Sequence, residues 1–336
     1  MFRSVKRALA LLDGRSRRIL FALVLVQILL SGLDLFGVLL FGVVTGDLPP
    51  GIDQVLDFAN LGGDNDVRIV IALAAIAGFV FIFKSVLAFL LLRRSLRFLA
   101  NRQALISSRL AERLLSRPLL DVQRNSSQHN AYALVNGCNA VTLGILGNAV
   151  VMVAEVAVLV VLAFGLLVID PLVACFTVLF FATLALTMNL ALGNWSRRLG
   201  THLSTADIAS ITSVQDALRT YRETTVSGRR GLFVERFQSL RWLAARYQSD
   251  MQIMQQVSKY VFEVGLIVGG ALLVVSQMLT REVVAAVAVI AVFLTAASRI
   301  MPSLVRLQQG ALGIRQASGM SEPTFELSHQ LDSPID

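Results

Sequence analysis

Five ionisable side chains stand inside long apolar stretches of the sequence. They are Asp34, Lys84, Glu155, Lys259 and Glu263. In hydrocarbon such a charge is costly unless it is paired or hydrated, so each of the five is a candidate functional residue. Lys259 and Glu263 are four residues apart and can pair along one face of a helix. Charges of this kind can line a polar path through a membrane.

The other three charges have no equally close partner within their own stretch. Asp34 and Lys84 could pair between the first two apolar stretches. Glu155 has no local partner and stands in the middle of its stretch, which suggests a hydrated cavity beside it. The alternative is that all five charges are structural pairs or contacts between helices. On the functional interpretation, they form one part of a predicted substrate path.

Arg299, Pro302 and Arg306 mark the end of the last apolar stretch. A proline inside a helix removes a backbone hydrogen bond and kinks the helix. The two guanidinium groups can bind a lipid phosphate or a substrate phosphate through paired hydrogen bonds. The alternative is that they only anchor the chain at the membrane surface. We therefore add Arg299 and Arg306 to the predicted substrate path.

The composition favours a membrane protein. Apolar residues make up 55% of the 336 residues and charged residues only 15%, whereas soluble domains carry about 25% charged residues. This excludes an ordinary soluble enzyme, a disordered chain and a nucleic-acid-binding domain, although the net charge is +8. The two cysteines and three histidines are widely spaced, so we expect neither a disulfide scaffold nor a metal site.

Six apolar stretches are long enough to cross a bilayer core of about 30 Å, which takes roughly 20 helical residues. All six should be helices, because an open strand leaves backbone groups unsatisfied in lipid. Breaks at Asp170-Pro171 and at Thr280-Arg281-Glu282 predict two helical hairpins. The stretches are 19–46, 67–92, 137–169, 171–193, 253–279 and 283–305.

The basic residues set the predicted orientation. Of the 30 lysines and arginines, 26 fall in four segments: 1–18, 93–130, 195–250 and 298–336. The segment 47–66 contains none and carries five aspartates. The positive-inside rule then places both termini and the two long middle segments in the cytoplasm.

The two long cytoplasmic segments read as continuations of helices. From Arg93 to Ser116 there is no glycine or proline, and leucine and isoleucine recur at helical spacing. A similar pattern leads up to Gly228. We therefore expect two helical projections beyond the membrane, each with a short turn or helix at its tip. The predicted tips span about 118–128 and 216–228.

The chain has no motif for binding ATP. A P-loop requires a glycine directly before its lysine, and the three lysines, Lys6, Lys84 and Lys259, all follow other residues. No set of residues for nucleophilic or metal-assisted catalysis assembles on one side of the membrane. We therefore assign no catalytic residue to this chain.

Six helices, cytoplasmic termini and two long projections resemble the transmembrane domain of an ABC exporter with the type IV fold. Short stretches resemble one group of these, the bacterial exporters that flip lipid-linked oligosaccharides or move polysaccharide precursors. The resemblance covers about residues 10–316. The stretches are Leu33-Asp34-Leu35-Phe36-Gly37, Phe81-Ile82-Phe83-Lys84, Arg124-Asn125-Ser126-Ser127, Glu155, Phe233 with Phe237, Lys259-Tyr260 with Glu263, and Arg299 with Pro302-Ser303.

The resemblance implies an all-helical transmembrane domain over 1–315, paired with a second copy of itself or a homologous half. It implies that the tips couple to nucleotide-binding domains, which would hold ATP and magnesium and hydrolyse the ATP. The membrane would be the bacterial inner membrane and the substrate a glycolipid. The implied coupling residues are Leu119, Leu120, Asp121, Val122, Arg222, Glu223, Thr224 and Thr225.

In such exporters a nucleotide-binding domain follows the sixth helix. Residues 316–336 are polar and acidic, so we expect a linker towards a nucleotide-binding domain that belongs to a longer chain or to a separate subunit. One alternative is the same fold exporting a peptide, a drug or a plain lipid. Others are a membrane glycosyltransferase that uses the aspartates of 47–66, and a scaffold without transport activity.

Overall fold

The computed structural model describes residues 1–45, 66–123, 125–169, 171–280 and 283–332, and every regular element in these ranges is helical. The helices are α1 (Phe2–Ala10), α2 (Gly14–Thr45), α3 (Asp66–Leu115), α4 (Leu119–Val122), α5 (Ser127–Tyr132), α6 (Asn148–Ile169), α7 (Pro171–Arg219), α8 (Tyr221–Val226), α9 (Arg230–Thr280), α10 (Val283–Met320) and α11 (Glu322–Asp332). Two π-helical segments, Ala133–Gly137 and Ala140–Gly147, lie between α5 and α6.

Three helices are much longer than a bilayer is thick. The helices α3, α7 and α9 contain 50, 49 and 51 residues, and at 1.5 Å per residue each is about 75 Å long. The predicted helical projections beyond the apolar stretches are therefore confirmed. So are both hairpin breaks, because α6 ends just before Asp170 and α9 ends at Thr280.

Two helices in the described ranges are long and apolar enough to cross a membrane. They are Ser127–Leu167, which runs through the π-helical segments, and Ala174–Arg219. Only 17% of the most apolar window of each is buried within the chain. A core helix of a soluble protein would be mostly buried, so these exposed apolar faces favour a membrane setting. That all six stretches span a membrane stays a prediction.

The helix α10 is central to the packing. It lies against α6, α7 and α9, while α2 packs on α3 and α6. One hydrophobic cluster joins α6, α7, α9 and α10 around Phe181 and Phe262, both almost fully buried. A larger cluster joins the ends of α1 and α3 to the π-helical segments and α11. The part of α3 that extends beyond the second apolar stretch therefore belongs to a folded core and is not a loose extension.

The segment 316–336, expected as an acidic linker, is helical as far as Asp332. The helix α10 continues to Met320, and α11 follows after one residue. Pro323 falls in the first turn of α11, where the missing backbone N–H leaves no helical hydrogen bond unmade. Leu327 and Leu331 are buried in the larger cluster. A connection from here to a nucleotide-binding domain stays a prediction.

Candidate functional site

Glu155 of α6 and Arg306 of α10 form the closest ion pair among the ionisable residues predicted to lie on a substrate path. The Nε atom of Arg306 lies 2.6 Å from Oε1 of Glu155. Glu155 is 9% exposed, whereas the Arg306 side chain is half-exposed. A buried carboxylate is strongly destabilising without a partner, and Arg306 is that partner for Glu155. The second carboxylate oxygen of Glu155 is buried without a hydrogen-bond partner among the described residues.

A second cation, Lys84 of α3, lies near this pair. Lys84 is half-buried, and its ammonium group is close enough to the Arg306 guanidinium for the two positive charges to repel each other. Three helices thus bring two cations and one carboxylate into one region. Among the described residues of this region, no arrangement resembles a nucleophile with its base.

The partner of Glu155 corrects the earlier reasoning about this residue. Sequence reasoning finds no local partner for Glu155 and infers a hydrated cavity from that absence. The structure supplies a partner from a helix about 150 residues further along the chain. A hydrated cavity beside Glu155 stays a prediction. A place for Glu155 on a substrate path stays a prediction.

Lys259 and Glu263 pair as the helical spacing predicts. Their side chains are 3.8 Å apart within α9, and both are partly exposed. Lys259 also lies over the ring of Tyr260 at 5.9 Å from the centroid. Phe262, in the same turn of the helix, is fully buried, whereas the side chains of the pair are 54% and 41% exposed. This pair therefore lies on an outer face, and no ion pair among the described residues joins it to Glu155 or Arg306.

Two predicted path residues and one predicted coupling residue have side chains that lie outside the described part of the structure. They are Asp34, Arg299 and Leu120. The predicted pair between Asp34 and Lys84 stays a prediction for this reason. Pro302 does lie inside α10, one turn before Arg306. Its position agrees with the expected proline within the last long helix.

The first predicted tip contains the short helix α4, which we call the first tip. Pro118 has extended backbone angles and precedes it. Arg117 and Asp121 pair across it at 3.8 Å, and the Asn130 amide donates to the Val122 carbonyl at 3.3 Å. Val122 packs against the larger cluster, whereas Leu119 is 69% exposed. The first tip thus has one anchored side and one open side.

The second predicted tip contains the short helix α8, which we call the second tip. None of its residues is buried. The hydroxyl groups of Thr224 and Thr225 donate to the carbonyls of Thr220 and Tyr221, and Arg230 donates to the Thr225 oxygen at 2.8 Å. The chain leaves the tip through Gly228 at a φ of 69°, a backbone conformation that favours glycine.

The helix α11, which we call the tail helix, holds the first tip. Arg117 donates to the carbonyl of Leu331 at 2.7 Å, and Arg113 pairs with Asp332 at 2.7 Å. The buried Thr324 hydroxyl donates to the carbonyl of Ala133 at 2.6 Å. Sequence reasoning missed this contact. The signal was the pair of leucines at 327 and 331, which are one helical turn apart in an otherwise polar segment.

The comparisons with known proteins do not assign a family. No family model matches the chain, and no curated protein matches it. Within the described ranges, no group of three or more histidine, cysteine, aspartate or glutamate side chains could hold a metal ion. The functional assignment therefore depends on the geometry and on the resemblance described above.

Proposed function

We propose that this chain is the membrane-spanning module of an ATP-driven exporter that moves a lipid-linked oligosaccharide or a polysaccharide precursor across the bacterial inner membrane. The observation that carries the proposal is the pair of long helical projections beyond the apolar stretches. In the first, α3 leads through the short helix α4 to the helix Ser127–Leu167, and in the second, α7 leads through the short helix α8 to α9. Rigid helices of this length can carry a movement at the tip to the membrane.

The surfaces of the tips support contact with another domain. Leu119 on the first tip and Val226 on the second are 69% and 84% exposed. Apolar side chains at the ends of cytoplasmic projections are favourable when a partner covers them. The proposed partners are nucleotide-binding domains, which would bind ATP with magnesium. On this proposal both chain termini are cytoplasmic and hydrolysis belongs to the partner domain.

On this proposal the half-exposed Arg306 side chain lies beside the path of a phosphate-bearing head group, while a long lipid tail remains in the bilayer. The proposed transport unit contains two copies of the chain or one copy with a homologous half. The choice of a lipid-linked saccharide over a peptide, a drug or a plain lipid comes from the sequence resemblance alone.

The coupling experiment uses cysteine crosslinking in membranes. Cys138 and Cys175, the free cysteines of the described residues, are first replaced by alanine. Single cysteines then replace Leu119 and Val226 at the two tips. We expect both to crosslink to a nucleotide-binding domain, identified by mass spectrometry. Val160→Cys, exposed in the middle of an apolar stretch, is the control and should not crosslink. Failure at both tips would overturn the proposal.

The substrate experiment compares two carboxylates in reconstituted vesicles that contain the nucleotide-binding domain. Glu155→Gln removes the charge that Arg306 pairs with, so we expect ATP-dependent flipping of the glycolipid to be lost while basal ATP hydrolysis continues. Glu235→Gln, an exposed carboxylate near the start of α9 and outside the predicted path, is the control. Full flipping in Glu155→Gln would remove this residue from the path. Transport of a peptide or a drug without glycolipid transport would favour the alternative substrates.

A further inference from the structure

A cleft of about 740 Å³ lies on one face of α7, directly after the fourth apolar stretch. It is lined by Asn194, Arg197, Arg198, Thr201 and His202. Their spacing of three and four residues places them along one side of a helix. All five are exposed and all can donate a hydrogen bond, His202 through its ring N–H. The cleft has no part in the proposed transport path or in the tips.

The cleft lies at the level where a membrane would end. The apolar stretch 171–193 stops one residue before it, and the half-exposed Trp195 stands within it along the sequence. Tryptophan is enriched at the boundary between hydrocarbon and water. Leu186 and Leu190, two turns and one turn before Asn194, are also exposed, Leu190 to 68%. An apolar strip therefore leads along α7 into the polar cleft.

The local charge is positive. Arg198 has neither a hydrogen bond nor an ion pair within the described ranges. Arg197 pairs with Glu322 at 3.3 Å. The Arg315 guanidinium packs so closely on α7 that a side chain at Gly193 would collide with it. Of the two arginines that line the cleft, one has a carboxylate partner and the other has none within the described ranges, which leaves capacity for another anion.

The pKa of the Met1 amino group gives a second indication of this charge cluster. Burial lowers that pKa, and the charges of Arg315 and Arg197 lower it further. Both guanidinium groups are therefore within electrostatic reach of the same point. A positive potential shared by several groups attracts anions more strongly than one arginine does.

The wall of the cleft is held firmly by the helices behind it. The buried Ser196 hydroxyl donates to the carbonyl of Leu312 in α10 at 2.9 Å. The ring of His202 stacks on Tyr247 of α9 with 5.4 Å between centroids. These contacts hold α7 in place, so the backbone positions of the donor residues are set before a ligand binds.

We propose that this cleft binds the phosphate head group of an anionic lipid from the cytoplasmic leaflet. The arginines donate paired hydrogen bonds to phosphate oxygens, and the acyl chains lie along the strip of Leu186 and Leu190. Basic pockets at the cytoplasmic side of membrane helices are suited to such head groups. The inference rests on the proposed membrane orientation and does not require transport activity.

The test uses Trp195 as a reporter of lipid beside the cleft. The sequence contains only two tryptophans, so Trp242→Phe leaves Trp195 as the single one. The full chain is placed in phosphatidylcholine vesicles containing a small fraction of brominated phosphatidylglycerol, whose bromine quenches tryptophan fluorescence. We expect stronger quenching than with the same fraction of brominated phosphatidylcholine. Unlabelled phosphatidylglycerol should reverse the quenching.

The arginine variants measure the contribution of the cleft. Each arginine that contacts the bound head group should contribute about fivefold to the apparent affinity for anionic lipid measured at Trp195. Arg198→Gln should therefore weaken the apparent affinity about fivefold, and Arg197→Gln with Arg198→Gln should weaken it further. The matched control is Arg93→Gln with Arg94→Gln, an exposed adjacent pair at the inner end of the second apolar stretch, which should change nothing at Trp195.

Three results would overturn the proposal. The first is equal quenching by the anionic and the zwitterionic brominated lipids. The second is an equal loss of affinity in the Arg93 and Arg94 control, which would indicate general attraction to the membrane. The third is displacement of the lipid by inorganic phosphate at constant ionic strength, which would assign the cleft to a free anion. If loss of the Arg197–Glu322 pair prevents folding, Arg198→Gln alone still decides the outcome.

Discussion

The two tips differ in what holds them. The first tip lies against the tail helix, which contacts the chain on both sides of it: Arg113 and Arg117 before it, and Asn125 and His129 after it. Within the described ranges, the side-chain hydrogen bonds of the second tip are to its own flanks, through Thr224, Thr225 and Arg230. One tip is thus part of the folded core, whereas the other is an exposed end of two long helices.

This difference has a mechanical meaning if both tips meet nucleotide-binding domains. A force on the first tip would also act on the tail helix and, through Thr324, on the π-helical start of the third apolar helix. A force on the second tip would act first along α7 and α9, and the hydrogen bond from Gln128 to Gln215 links α7 to α5. The two contacts would then transmit movement through different bodies. The predictions below test how firmly the first tip is held.

The largest effect should come from removing the apolar anchor of the tail helix. Leu327 is 1% exposed in the larger cluster, so Leu327→Ala should lower the free energy of unfolding by about 2–5 kcal/mol. The measurement is the melting temperature in detergent, with limited proteolysis to detect release of the tail helix. Leu232→Ala, at an exposed site near the second tip, is the control and should change little. Equal stability of the two variants would contradict the anchoring.

A smaller effect should come from the buried hydrogen bond of Thr324. Thr324→Val keeps the shape and leaves the carbonyl of Ala133 without this donor, which should cost about 1–3 kcal/mol. The matched change at the second tip is Thr225→Val. Its hydroxyl is exposed, so water can replace the lost bond and stability should be nearly unchanged. Chemical denaturation of both variants measures the difference, and a larger loss in Thr225→Val would reverse the comparison.

The smallest effect should come from the surface pair of Arg113 and Asp332. Both side chains are at least half exposed at a separation of 2.7 Å, and exposed pairs contribute about 0–1 kcal/mol. A double-mutant cycle with Arg113→Ala and Asp332→Ala should give a coupling energy in that range. The coupling should shrink as salt is added, because ions screen exposed charges. A coupling of several kcal/mol would show that the tail helix is held by charge and not by its leucines.

The sequence predicted the features that depend on neighbouring residues. Helix ends followed from Pro118, Pro171 and Gly228, because proline and glycine restrict or free the backbone locally. The pair of Lys259 and Glu263 followed from their spacing of four. The residue pattern of the third apolar stretch did not predict the π-helical segments at its start. Nothing in the local spacing of so apolar a stretch distinguishes a π turn from an α turn.

Contacts between distant parts of the chain were beyond the reach of these patterns. Glu155 and Arg306 each stood out as a charge near the membrane, yet only the packing of α6 on α10 brings them together. The sequence predicted a linker and not a docked helix at the position of the tail helix, because Glu322, Pro323 and His329 give this segment a polar composition. Its two buried leucines dock it because α3 and the π-helical segments provide an apolar surface.

The π-helical segments set the rotational phase of everything that follows them in the third apolar helix. A π turn closes its hydrogen bond one residue later than an α turn, so each such turn takes up an additional residue. One residue corresponds to about 100° of rotation around an α-helix. The direction in which Glu155 points therefore depends on residues eight or more positions earlier, at Ala133–Gly137 and Ala140–Gly147. A change from π to α winding in those segments would rotate this carboxylate around the helix axis and away from Arg306.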